Sequence, residues 1–71
     1  MNPYEELANA IVLAAVKDYR KARKRLQKHP WDTHSKAVIR ECEEFFRSGW
    51  FVTLTSVDGE LLLEKLQEEV A

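Results

Sequence analysis

The feature that most constrains this chain is one continuous helical pattern that runs from Tyr4 to Lys28. Apolar residues recur there every three or four positions, which keeps one face of a helix apolar along its whole length. They are Tyr4, Ala8, Ile11, Ala15, Tyr19, Ala22 and Leu26. Asn2 and Pro3 suit the start of a helix, and His29 ends it because a residue before proline avoids the helical conformation. About 25 residues at 1.5 Å each predict a rod of roughly 37 Å, which spans a molecule this small.

The first half of this helix is unusually apolar. Residues 8–16 are nearly all apolar, and Leu13 points away from the main stripe. We therefore expect this half to be covered on more than one side, by the later helices or by a second copy of the chain. The run is too short for the roughly 20 residues that a membrane span needs, so no membrane contact is expected. The candidate oligomer-interface residues are Val12, Leu13 and Val16.

The second half of the helix is strongly basic. Residues 17–28 contain seven lysines and arginines against a single acidic residue, Asp18, although the net charge of the whole chain is only −1. Three interpretations of these basic residues are open. They form a solvated polar face, they pair with the acidic C-terminal segment, or they bind an anionic partner such as nucleic acid. The candidate residues for that partner are Lys17, Arg20, Lys21, Lys24, Arg25 and Lys28.

Length and cysteine content limit how the chain is stabilised. A chain of 71 residues predicts one domain, residues 1–71, which buries only about 60% of its unfolded surface. Cys42 is the only cysteine, so it forms no internal disulfide and fits a reducing compartment. The apolar run follows an acidic rather than a basic start, so we expect no signal peptide and a cytoplasmic location. Dimerisation is a reasonable further source of stability.

A turn and a second helix follow the long helix. We expect a helix over residues 34–46, with Asp32 or Thr33 as its cap and Cys42 as a small core residue rather than a reactive thiol. Trp31 is predicted to pack back onto the core, since a large ring in a short loop often pins that loop. The nearby His29, Asp32 and His34 match no zinc spacing, so no metal is expected.

Residues 50–55 are ambiguous between strand and helix. Their β-branched and aromatic residues favour a strand, but the chain offers no second strand to pair with it. We therefore predict a short helix over residues 49–54, capped by Ser48, with Trp50, Phe51 and Leu54 in the core. A helix-turn-helix reading of this region fails, because the segment lacks the polar and basic side chains that reach base edges.

The last helix is predicted over residues 56–69, with Thr55 or Ser56 as its cap. Gly59 in its first turn is expected to permit close approach to a neighbouring helix. The predicted buried residues are Leu62, Leu63, Leu66 and Val70. A row of Glu60, Glu64 and Glu68 lies on another face, either solvated or directed at the basic half of the first helix. These glutamates lie opposite the apolar positions and lack a Glu-x-x-His pairing, so they predict no di-metal or acid–base site.

Two stretches of the sequence, AIVLAAVKDYR (10–20) and FFRSGWFVTLTSVDGELLL (45–63), resemble a family of short, largely uncharacterised helical proteins. These proteins are encoded in prophages and integrative mobile elements of Gram-positive bacteria. The resemblance covers about half of the chain, and Gly49 departs from the polar residue typical of the family. It implies a cytoplasmic accessory protein of a mobile element, and it transfers no catalytic residue.

Together these patterns predict an all-α domain: a small bundle in which one long helix (about 4–28) is covered by two or three shorter ones (about 34–46, 49–54 and 56–69). We expect no enzyme activity and no cofactor. The favoured function is that of an accessory or regulatory protein that acts by protein–protein interaction, including self-association. The alternatives are a nucleic-acid-binding accessory protein that uses the basic half of the first helix, and a structural dimer.

Overall fold

The computed structural model describes residues 2–69, which form four helices and, within that range, no strand. The helices are α1 (Pro3–Lys28), α2 (Thr33–Phe46), α3 (Gly49–Leu54) and α4 (Gly59–Glu68). The molecule measures 41 × 20 × 19 Å. Since 26 helical residues extend about 39 Å, α1 runs the full length of the molecule. The predicted all-α bundle with one long N-terminal helix is confirmed.

The ends of α1 are fixed as the sequence predicts. The Asn2 side chain accepts a hydrogen bond from the Glu5 amide at 2.9 Å, and Pro3 occupies the first helical position. At the other end His29 is the capping residue, and its amide donates to the Arg25 carbonyl oxygen at 2.8 Å. Within residues 2–69 no helix is long and apolar enough to cross a membrane.

The turn between α1 and α2 is held by Asp32 rather than by Trp31. The Asp32 carboxylate caps α2, accepting from the amides of His34 and Ser35, and it also accepts from the Ser35 hydroxyl. The prediction that Trp31 packs onto the core is wrong, because its side chain is 78% exposed. Capping already fixes this turn, so the loop is ordered without burying the ring.

The short helix α3 forms as predicted, and Ser48 is its cap: the Ser48 hydroxyl accepts from the Phe51 amide at 3.2 Å. Phe51 is fully buried and Leu54 is half-buried. The prediction that Trp50 belongs to the core is wrong, since it is 61% exposed. Consecutive residues of a helix point about 100° apart, and in this short helix Phe51 faces the core while Trp50 stays exposed beside α1.

The start of α4 differs from its predicted position. Asp58, rather than Thr55 or Ser56, caps this helix, and its carboxylate accepts from the amides of Glu60 and Leu61. Thr55 instead ends α3, where its hydroxyl accepts from the Val57 amide. A carboxylate placed next to Gly59 therefore takes the capping role. Of the predicted buried residues, Leu63 and Leu66 are buried and Leu62 is half-buried, whereas Val70 lies outside the described residues.

The core lies beside the second half of α1, where buried residues of all four helices pack together. Its aromatic centre is a set of edge-on ring contacts, with Phe46 and Phe51 perpendicular at 5.6 Å between centroids and Tyr19 edge-on to Phe46 at 6.2 Å. The buried apolar residues are Val16, Tyr19, Ala22, Cys42, Phe46, Phe51, Leu63 and Leu66. The apolar stripe of α1 is thus buried from about Val16 onwards, whereas Tyr4 at its start is 84% exposed.

Cys42 is a core residue, as predicted. It is buried between α2 and α1, where its Sγ lies 3.6 Å from the Ala15 carbonyl oxygen. Burial, together with the nearby negative charges of Asp18 and two glutamates, raises the pKa of its thiol. A buried thiol with a raised pKa holds its proton and is a poor nucleophile.

Candidate interaction surfaces

The first candidate surface is an apolar groove between the start of α1 and the short helix α3. Its volume is about 380 Å³. Tyr4, Leu7 and Trp50, which are 84%, 61% and 61% exposed, give it a large apolar surface open to solvent. We call it the Trp50 groove, and it is lined by Asn2, Tyr4, Glu5, Leu7, Ala8, Ile11, Trp50, Thr53 and Leu54.

The fold creates this groove because α1 is longer than the bundle that covers it. The first two turns of α1 carry exposed residues at every position except Ala8, which is half-buried. Phe51 anchors α3 in the core, and Trp50 therefore points along the flank of α1 rather than into the bundle. The sequence contains a signal for this arrangement, since Leu7 stands off the main apolar stripe and Trp50 precedes a second large aromatic residue.

The other exposed tryptophan lies in a different setting. Trp31 follows the C-terminal end of α1, at the opposite end of that helix from the Trp50 groove. It is absent from the lining of the groove. A single exposed aromatic side chain is ordinary on a protein surface, whereas several that line one concave surface mark an interaction site.

The second candidate surface is a row of lysines on α1. Lys17, Lys21, Lys24 and Lys28 are all exposed on the side of the helix opposite the buried Tyr19. Among the described residues none of these four ammonium groups lies within ion-pair distance of a carboxylate. We call them the lysine row. Their spacing of three and four residues places them along one line of about 16 Å.

The two arginines predicted to join this row are instead paired within the fold. Arg20 donates two hydrogen bonds of 2.8 Å to the Glu69 carboxylate, and this contact lowers the pKa of Glu69. Arg25 donates to the Asp32 carboxylate. That hydrogen bond, with the amide and hydroxyl of Ser35, lowers the pKa of Asp32 to about 2. The six candidate basic residues therefore divide into two groups. The four lysines have no ion pair among the described residues, whereas the two arginines form ion pairs that connect α1 to other parts of the fold.

The acidic row of the last helix does not cover the lysine row. Glu60 pairs with Arg47 at 2.6 Å, and Glu68 lies 3.9 Å from Lys65 of its own helix. Within residues 2–69, the ion pair that joins the acidic C-terminal segment to α1 is that of Glu69, just beyond α4, with Arg20. The lysine row stays exposed.

Arg23 also belongs to the fold rather than to the surface. Its guanidinium stacks over the Tyr19 ring at 5.5 Å, and its Nη1 donates to the Tyr19 hydroxyl at 3.3 Å. The same hydroxyl donates to Glu43 at 3.1 Å. Burial raises the pKa of Tyr19 above its ordinary value, so this hydroxyl remains protonated and connects α1 to α2.

A small cleft of about 280 Å³ opens between α1 and α2 near their basic end. It is lined by residues of both charges, including Asp18, Lys21 and His34. The buried Ser35 at its base already donates its hydroxyl proton to Asp32. The cleft therefore presents no unpaired buried donor to a ligand.

The predicted oligomer interface is only partly at the surface. Val16 is 8% exposed and belongs to the core of the single chain. Val12 is half-buried and packs against that core. Leu13 is 62% exposed and points away from the bundle. The reason is helix periodicity, since Val12 and Val16 share a face with Tyr19 and Leu13 does not.

Residues 2–69 bring no three metal-ligating side chains of His, Cys, Asp or Glu together. A scan with protein-family models found no match to this chain, and searches of curated proteins and of solved structures found none either.

Proposed function

We propose that this protein acts by binding another protein through the Trp50 groove. The observation that carries the proposal is the exposure of Trp50 beside Tyr4 and Leu7 in one concave surface. Tryptophan and tyrosine dominate the binding energy of many interfaces, because each buries a large area at little cost in conformational entropy. Burying these side chains against a partner would remove their apolar surface from water, which favours binding.

The lining of the groove defines the partner that fits it. Its lining combines the apolar side chains of Tyr4, Leu7 and Trp50 with the polar side chains of Asn2, Glu5 and Thr53. Protein interfaces combine apolar and polar side chains in this way. The expected partner is therefore a protein segment that inserts apolar side chains beside Trp50 and pairs its polar groups with the polar residues of the groove.

The wider role rests on the sequence resemblance. We infer a non-enzymatic accessory or regulatory protein of a mobile element that works in the cytoplasm. Resemblance at residues 10–20 and 45–63 supports this role, and the second of these stretches contains Trp50.

The test compares wild-type protein with two matched tryptophan variants in affinity purification from cells of the organism that encodes it. Trp50→Ala should lose a specific protein that wild type and Trp31→Ala both retain, since both side chains are exposed but only Trp50 lines the groove. Equal recovery with all three proteins would reject the groove as the binding site.

A second candidate function is phosphate-backbone binding by the lysine row. The supporting observation is that Lys17, Lys21, Lys24 and Lys28 have no carboxylate partner among residues 2–69, whereas Arg20 and Arg25 do. Contacts of this kind neutralise phosphates without reading base sequence. Nucleic-acid binding would therefore be nonspecific and strongly dependent on salt.

A further inference from the structure

The outer face of α1 carries a second pattern, which includes Lys17 and Lys24 of the lysine row. Six exposed residues follow the intervals four, three, four, three, four, which is the spacing of a coiled-coil seam. They lie on the side of the helix away from the bundle, and Leu13 is the only large apolar residue among them. The six are Glu6, Ala10, Leu13, Lys17, Arg20 and Lys24.

We propose that two copies of this chain pair through this face of α1, antiparallel, with the two Leu13 side chains in contact at the two-fold axis. The partner is a second copy, and the argument for it is charge complementarity. Glu6 lies seven residues before Leu13 and Arg20 lies seven residues after it. Both are therefore about 10.5 Å from the axis and on the same face.

This register places unlike charges together at both ends of the contact. Glu6 of one copy lies level with Arg20 of the other and between Lys17 and Lys24, which flank Arg20 on the same face. In the single chain the Glu6 carboxylate has no ion pair among the described residues. Arg20 is shared with Glu69, so the two lysines supply most of the uncompensated positive charge.

A parallel pair in the same register would set like charges against each other. Each lysine of one copy would face the same lysine of the other, and Glu6 would face Glu6. In the antiparallel pair Lys24 lies level with Asn2, the cap of the partner's helix, so no two lysines oppose each other. Like charges held side by side cost binding energy, and the sequence of this face therefore selects the antiparallel arrangement.

The central contact is small but closely packed. Ala10 is small enough to let the helix backbones approach beside the leucine pair. The apolar area is less than the roughly 800 Å² per partner of a standard interface. The dimer is therefore in equilibrium with the monomer, and it leaves the Trp50 groove free because that groove lies on the other flank of α1.

Disulfide cross-linking tests both the contact and its direction. In a Cys42→Ala background, Leu13→Cys places two thiols at the axis. Lys28→Cys places them about 45 Å apart, because fifteen residues separate each from the axis. Both positions are exposed, and melting curves of the reduced proteins verify the fold. We expect Leu13→Cys to form dimers at least about tenfold faster than Lys28→Cys, well above the rate of random collision.

Two charge variants complete the test in the Leu13→Cys protein. Glu6→Lys should slow cross-linking about tenfold, because it sets lysine against the basic half of the partner. Glu5→Lys makes the same charge change on a different side of the helix and should leave the rate unchanged. Equal rates for Leu13→Cys and Lys28→Cys would overturn the proposal, as would equal effects of the two charge variants. The outcome is independent of the Trp50 groove, because the cross-linking rate reports on the pairing of two α1 helices. Of the substituted residues, Glu5 lines that groove, and it serves only as the control.

Discussion

Gly59 lies so close to the end of α2 that a β-carbon on it would come within 1.9 Å of the Phe46 carbonyl oxygen. The first residue of α4 therefore packs directly against the backbone of α2. This close approach was predicted for Gly59 from its position in the first turn of the last helix, and the structure confirms it. The constraint is steric, since no described residue has a positive φ.

Gly59→Ala should destabilise the protein by about 1–3 kcal/mol, because the added methyl group must displace helix backbone rather than a flexible side chain. Gly49→Ala is the matched control. Gly49 is also the first residue of a helix, but a β-carbon there meets nothing within 4 Å. That substitution should be neutral or stabilise by up to about 1 kcal/mol. Urea unfolding of the two variants measures the difference, and equal stabilities would contradict the close packing of α4.

Truncation of the two adjacent aromatic residues of α3 should change the free energy of unfolding by very different amounts. Phe51→Ala removes a fully buried ring and should cost about 3–5 kcal/mol, close to the whole stability of a small domain. Trp50→Ala removes an exposed ring and should change stability by less than about 1 kcal/mol. Circular dichroism during thermal unfolding distinguishes them. A large loss of stability in Trp50→Ala would mean that this side chain belongs to the core after all.

The Asp32 carboxyl gives the fold a dependence on acid pH. Its pKa is about 2 in the folded chain against an ordinary value of 3.8, chiefly because Arg25 donates to it. As pH falls, the unfolded chain takes up this proton first. The stabilisation is therefore present above about pH 4 and is lost as pH falls toward about 2.

Substitution of either partner tests this linkage. Asp32→Asn keeps a capping oxygen but should remove the part of the acid sensitivity that this carboxyl contributes. Arg25→Gln should return the pKa of Asp32 toward its ordinary value and reduce the same sensitivity. Unfolding free energies of the three proteins, measured from neutral to acid pH, check the result. Parallel curves for all three would contradict the assigned role of Asp32.

The Tyr19 hydroxyl should contribute modestly to stability. It is buried, donates to Glu43 and accepts from Arg23. Tyr19→Phe keeps the ring and its contact with Phe46 but leaves both partners without this hydroxyl. We expect a loss of about 1 kcal/mol, measured by chemical unfolding. A variant as stable as wild type would show that water replaces the hydroxyl at no cost.

Nucleic-acid binding by the lysine row makes a separate quantitative prediction. If the row contacts phosphates, duplex DNA binding measured by fluorescence anisotropy should weaken steeply with salt. The double variant Lys21→Ala with Lys24→Ala should reduce the slope of log K against log salt by roughly two. A control pair, Lys36→Ala with Arg40→Ala, removes the same charge from the exposed side of α2. Equal effects of the two pairs would reject the lysine row as the contact.

The extent to which the sequence predicted this fold depends on the kind of signal. Local signals were sufficient for Asn2, Pro3, His29 and Ser48, because caps and proline act through their own backbone neighbours. The start of α4 was misplaced since several candidate caps, Thr55, Ser56 and Asp58, lie close together. Which of them caps the helix depends on the packing of Gly59 against α2, and no local pattern contains that contact.

The sequence predicts the candidate surfaces less completely than it predicts the helices. The lysine row followed directly from helix periodicity. The sequence places both Trp31 and Trp50 in the core, because hydrophobicity alone does not tell which aromatic residue of a short segment faces inward. The pairing of Arg20 with Glu69 and of Arg25 with Asp32 joins residues far apart or in different elements. Such pairs appear only once the helices are placed in space.

The most direct test of the central claim, that the Trp50 groove binds another protein, is site-specific photo-cross-linking in cells of the organism that encodes the chain. A photoreactive phenylalanine analogue replaces Trp50 or, as the matched control at the opposite end of α1, Trp31. The account predicts a discrete heavier species, containing one partner protein, from position 50 and none from position 31. The same cross-linked products from both positions, or products from position 31 alone, would contradict it.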